Sequence, residues 1–163
     1  MASPVCLLTT WTTSSQTMDR IEEYDLQLFN AISDANCWLQ AHNYKVCAGN
    51  NNTWVHSGNP CKHVIIQQKG GVSRADTMYV VDARWFHLDG YHIARIASYL
   101  FSTEEEALLF MKGGHGRTWR WNEGYGCWWD SGWDNEGHAS IIKYVRGEQG
   151  WAPSQVVSGT DCA

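Results

Sequence analysis

The chain has 163 residues, 44% of them hydrophobic and 18% charged, with ten tryptophans, six cysteines, seven histidines and a formal net charge of −5. That length suits one domain with a sizeable core, and the negative balance leaves no electrostatic footprint for nucleic acid. No apolar run reaches the roughly 18 residues that a membrane-spanning helix needs.

Residues 1–13 read as an extended arm or first strand, rich in threonine. Met1 to Leu8 lack the basic start and long apolar core of a secretory signal, and Ala2 stands where a myristoylated glycine would be. Free thiols in a reducing compartment are therefore expected, although Asn51-Asn52-Thr53 forms a glycosylation sequon. Ser14 or Ser15 caps an expected helix to about residue 33, in which Met18, Ile21, Leu28, Phe29 and Ile32 recur near helical spacing. Ser33-Asp34-Ala35-Asn36 interrupts it, and a short helix is expected to begin at Cys37.

Strand signals follow at 45–48, 53–56, 63–67 and 78–82, between clusters of Gly, Asn and Pro. Residues 91–101 fit either a strand or a short helix. Ser102-Thr103-Glu104-Glu105-Glu106 has the form of a helix start, continued by 107–110 and closed by Gly113-Gly114. Residues 118–121, 126–129 and 139–145 read as antiparallel strands. No repeat, low-complexity block or linker is evident. Early helices and a late antiparallel sheet make an α+β pattern.

Two residues carry candidate chemistry. A cysteine at a helix start feels open amide N–H groups and the positive end of the helix dipole, which favour thiolate. The same amides can hold an oxyanion. Cys37 is placed for this by the polar Asp34 and Asn36 before it. His138, after the turn Asp134-Asn135-Glu136-Gly137 and before small Ala139, is the candidate base. The competing reading of Cys37 is buried packing. Trp119, Trp121, Trp128, Trp129 and Trp133 precede His138. Alternation at Trp119 and Trp121 favours a shared core face, with Trp133 as the cleft candidate.

Asp34-Ala35-Asn36-Cys37-Trp38-Leu39-Gln40-Ala41, with Gly137-His138-Ala139 about a hundred residues later and then Gly150-Trp151, resembles the picornavirus leader proteases, papain-like enzymes of aphthoviruses and relatives. The Asp-x-Asn-Cys pattern is also similar to ovarian-tumour-type deubiquitinases, and Cys-Trp to arterivirus papain-like proteases. The resemblance implies an α+β, papain-like single domain over 1–163. Its helical part would span about 14–43 and its sheet-rich part about 44–155, with an extended tail over about 156–163.

The same resemblance implies a Cys37–His138 pair oriented by Gln155 or Asp161, although the family has an aspartate where this chain has Gln155. It implies an oxyanion hole using Asn36, Asp34 or Asn30, and substrate contacts at Trp38, Trp133, Glu136 and Gly137. The implied activity is release of the protein from its own viral polyprotein and then cleavage of host proteins in the host cytoplasm. A translation-initiation scaffold and ubiquitin-like modifiers are the family's targets. No cofactor, nucleic acid or membrane is called for. A zinc site at Cys47, His56, Cys61 and His63 competes weakly, since no Cys-x-x-Cys or His-Glu-x-x-His is present. The alternatives are an ovarian-tumour-type deubiquitinase, or a non-enzymatic, tryptophan-rich host-interaction module.

Overall fold

A computed structural model describes residues 5–16, 19–47, 50–69, 76–113, 119–130 and 136–159, without the side chains of 50–53. Antiparallel strands dominate it. In chain order they run β1 (Val5–Thr13), β2 (Ile21–Phe29), α1 (Ile32–Ala41), β3 (Tyr44–Cys47), β4 (Asn50–His56), β5 (Lys62–Lys69), β6 (Thr77–Phe86), β7 (Ile93–Phe101), α2 (Glu104–Gly113), β8 (Arg120–Asn122), β9 (Cys127–Asp130), β10 (Gly137–Gly147) and β11 (Gly150–Val157).

This overturns the α+β, papain-like expectation with its helical N-terminal part, because most described residues lie in antiparallel strands and both helices are short. The error sits in β2. Tyr24, Leu26 and Leu28 alternate with Glu23, Asp25 and Gln27, which is the period of a strand. Ile21, Leu28, Phe29 and Ile32 happen to match a helical spacing as well, and the acids between them read as a helix's outer face. The part over about 14–43 therefore holds a hairpin strand and only ten residues of helix. The tail boundary near 156 falls inside β11. The start of α2 is as read: the Glu106 amide donates to Thr103 Oγ1 at 3.1 Å, and Ser102 Oγ donates to Glu106 at 2.9 Å.

The chain divides into two compact units, one from Met1–Ala75 with Gly147–Trp151, the other from Asp76–Arg146 with Ala152–Ala163. Each unit is a hairpin, a helix and a three-stranded meander. In the first the strands lie in the order β2-β1-β5-β4-β3, and in the second β7-β6-β10-β9-β8, with β11 also pairing β10. Strand for strand, these are the same topology.

The register agrees as well. The first hairpin has a β-bulge between Thr12 and Thr13, one step before Ile21 on the partner strand, and the second has its bulge between Trp85 and Phe86, one step before Ile93. Buried Leu7 faces Leu28 in one hairpin, and buried Val80 faces Leu100 in the other. Buried Trp54 of β4 and buried Trp128 of β9 stand at matching positions beside Val64 and Ala139. The two units thus repeat one ββαβββ topology, which residue identities conceal.

In each unit the helix lies on one face of the sheet. Ala35 and Leu39 of α1, aided by Ile32 and Trp38, pack on Cys6, Leu8, Trp54, Val64 and Ile66. Ala107 and Met111 of α2 pack in a cluster with Val81, Ala83, Trp85, Trp128, Ala139 and Ile141. Trp119 and Trp121 join that second core, which agrees with the alternation read from the sequence. Val157 belongs to it too, and Gly159 sits so close that an added Cβ would lie 2.7 Å from Trp128 and 2.8 Å from Trp121. Among the described residues no helix is long and apolar enough to cross a membrane.

Candidate functional site

Cys37 does not stand at a helix start. α1 begins at Ile32 after the extended Ala31, so Cys37 is its sixth residue. Its amide lies in the helix interior, where N–H groups are taken by carbonyls four residues back. At the start itself, the amides of Asp34 and Ala35 already donate to the Ala31 carbonyl. Ile32, Ala35, Trp38 and Leu39 face the sheet. Cys37 falls between them on the outer side and is exposed, so the buried-packing reading of this thiol also fails. The helix ends at Ala41, and just past it Asn43, with φ of 67°, takes the left-handed conformation that stops the helical run.

The other expected residues scatter. Asp34 is exposed in the first turn and Asn36 is half-buried within the helix. Asn30 accepts a hydrogen bond from the Trp151 indole N–H at 2.8 Å. Trp38 stacks on His42 at 3.9 Å, while His42 Nδ1–H donates to the Trp38 carbonyl at 2.8 Å. Gln155 is exposed on β11. Asp161 and Trp133 lie outside the described residues. Gly137 is buried under the Trp85 indole, so closely that a Cβ would lie 2.6 Å from its Nε1.

His138 lies near the start of β10, in the second unit, whereas Cys37 belongs to the first. Its imidazole is stacked on Trp129 at 4.7 Å with 13° between the planes, and the Phe86 ring meets it edge-on at 5.1 Å. Exposed Glu136 brings a carboxylate oxygen to 3.5 Å from Nε2, within ionic reach but outside hydrogen-bond geometry. Trp129 in turn carries Tyr125 at 5.0 Å and 30°, and Tyr125 is 73% exposed. The Trp129 indole N–H donates to the Cys127 sulfur at 3.1 Å, which fixes the ring.

Cross-strand partners place their side chains on the same face. Ile96, Arg84, His138, Trp129 and Arg120 are successive partners across β7, β6, β10, β9 and β8 and form one row on the face that bears no helix. The first unit has its counterpart. Tyr24, Trp11, His63, Val55 and Lys45 form a row across β2, β1, β5, β4 and β3, again on the helix-free face. In that row His63 is stacked on Trp11 at 5.4 Å and 23°, and its Nε2 lies 3.4 Å from Thr13 Oγ1. Burial pushes the His63 imidazole below its ordinary range. Each row thus has histidine on its third strand, an indole against that histidine, and a cation on the outermost strand.

The sequence singled out His138, as a base, and His63, as a candidate zinc ligand, and missed Tyr125 and Arg120 in the row of the one and Trp11 and Lys45 in the row of the other. The available signal was the alternation within β1, β5 and β9, which puts Trp11, His63 and Trp129 on the face opposite the helix. Among the described residues no group of three His, Cys, Asp or Glu side chains converges as a metal site, and Cys6, Cys37, Cys47, Cys61 and Cys127 form no disulfide.

No protein-family model matches this chain, and neither does any curated protein or solved structure.

Proposed function

We propose that this chain is a non-catalytic, tryptophan-rich interaction module that holds planar, π-rich groups of its ligand on the helix-free face of each unit. One observation carries this reading: a histidine stacked on an indole occurs at the same register position of both units, with the indole on β1 in one and on β9 in the other. On that face Trp129 and His138 are only half-buried and Tyr125 beside them is exposed, although Leu7 and Val80 elsewhere on the helix-free faces are buried. Stacked rings present a polarisable, sequence-tolerant surface, and a cation at the row's end adds attraction for an anionic group.

The test is a titration of the isotope-labelled chain with adenosine monophosphate and, separately, with N-acetyltryptophanamide, followed by nuclear magnetic resonance. The expected result is a saturable shift of the Trp129 indole N–H and of Tyr125 and His138. Absence of any saturable shift up to millimolar ligand would overturn the reading.

A second reading, a cysteine protease with Cys37 and His138 in its centre, is favoured by the exposure of the Cys37 thiol. It calls for a Cys37 that reacts with iodoacetamide faster than the same thiol in a short peptide. A Cys37 no faster than the peptide removes that support. The viral origin, the polyprotein and the host targets belong to this second reading and stand or fall with it.

A further inference from the structure

Resting on the interaction-module reading, we infer that the two rows are two sites for single-stranded nucleic acid, with unpaired bases stacking on the rings and phosphates meeting the flanking cations.

The second unit shows the chemistry most fully. His138, Trp129 and Tyr125 form a column of rings with interplanar angles of 13° and 30°, and the outermost ring is 73% exposed. A base laid on Tyr125 continues that column, and stacking on aromatic side chains is the sequence-tolerant contact that single strands use on open sheets. Arg84 and Arg120 are both exposed and lie on the same face, three strands apart. At ordinary strand spacing that separation is roughly 14 Å, so the two guanidiniums bracket the rings. Arg120 has no acidic partner among the described residues. The acids on this face are half-buried Asp82 and exposed Glu136. Glu136 lies beside His138, which directs a phosphate toward the Arg120 end.

The net charge of −5 is unevenly placed, and five of the seventeen acids stand on the helix-bearing side. Glu23 and Asp25 face Thr12 and Thr10 on the helix-bearing face of the first sheet. Glu104 and Glu105 open α2, and Asp34 is in the first turn of α1. The helix-free row of the first unit instead ends in exposed Lys45, with Trp11 and His63 as its stacked pair. Whole-chain charge therefore understates what a strand would meet at either row.

The experiment is fluorescence anisotropy of the full chain with short fluorescein-labelled oligouridylate and oligoadenylate, over a range of salt. Adenosine monophosphate serves as the single-base control. Variants are Tyr125→Ala, Arg120→Ala and Lys45→Ala, with Leu109→Ala on the exposed side of α2 as the control. The expected result is two strands bound per chain, each more tightly than the mononucleotide. Tyr125→Ala weakens one site by about ten-fold or more. Arg120→Ala and Lys45→Ala each reduce the salt slope of one site by about 0.7. Leu109→Ala changes nothing.

Mononucleotide binding with no gain from the strand overturns the nucleic-acid inference and leaves the interaction module standing. Strand binding that ignores Tyr125, Arg120 and Lys45 alike also overturns it. If neither mononucleotide, N-acetyltryptophanamide nor strand binds, both readings fall together.

Discussion

His63 and His138 hold the same register position in the two units of the chain. Trp11 is the cross-strand partner of one and Trp129 of the other, and each imidazole lies nearly flat against that indole, at 5.4 Å and 4.7 Å. The histidines match through the repeated ββαβββ topology, whose bulges fall at matching steps, whereas the indoles do not: Trp11 answers Arg84, and Trp129 answers Val55. A residue that looked like a lone catalytic base in the sequence thus has a twin 75 positions earlier that no protease reading requires.

Burial of His63 makes stability depend on pH. Its folded value lies below the ordinary value near 6.5, so the unfolded chain takes up the proton first as pH falls. The contribution is complete above about 6.5 and is lost as pH drops through the lower folded value. The urea midpoint should therefore fall between about pH 7 and about pH 5, and His63→Gln should flatten that part of the curve. An equally steep profile in the variant would assign the dependence to other groups.

The cysteines should separate cleanly by reactivity. Burial, with a smaller contribution from nearby Asp34, pushes the Cys6 thiol up to about 11, whereas Cys37 is exposed. Mass spectrometry after alkylation at neutral pH should show Cys37 modified in the native protein and Cys6 modified only in denaturant. Native modification of Cys6 ahead of Cys37 would contradict the placement of α1 on its sheet.

The two helices anchor their units through matching residues. Leu39 and Met111 are fully buried at equivalent positions of α1 and α2. Leu39→Ala and Met111→Ala should each cost about 2–5 kcal/mol in chemical denaturation. A loss within about 0.5 kcal/mol for either would mean that its helix is not seated as described.

Two glycines are required by the tryptophans over them. A Cβ on Gly137 would meet the Trp85 ring at 2.6 Å, and one on Gly159 would meet Trp121 at 2.8 Å. Both neighbours are rigid indoles packed in one core, so relief needs a shift of the cluster. Gly137→Ala and Gly159→Ala should each destabilise by about 1–3 kcal/mol, read from the thermal midpoint. Unchanged midpoints would show that the indoles have room to move.

Much of the strand content was legible, because glycine and asparagine punctuate it and the meander strands alternate. The α2 start was legible for the same local reason, its Ser-Thr-Glu-Glu-Glu run. β2 was not, since Glu22, Glu23 and Asp25 give its exposed positions the look of a helix surface. Nor was the repeated topology, because matching core positions share size and polarity more than identity. Ala35 and Ala107 are one matching pair, but Leu39 answers Met111, and Leu7 answers Val80. The site suffered most. Asn-Cys-Trp-Leu suggested a nucleophile at a helix start, while the helix in fact begins five residues earlier, because Ile32 and Ala35 already reach the sheet.

The central claim, that this chain binds and does not cut, is tested most directly by fusing a reporter after Ala163 and expressing it beside the Cys37→Ala and His138→Ala versions. The account predicts that all three fusions remain intact while the unmutated chain still shows its Trp129 shift with adenosine monophosphate. Release of the reporter from the unmutated fusion alone, with both variants uncut and folded, would contradict it and establish the Cys37–His138 protease in its place.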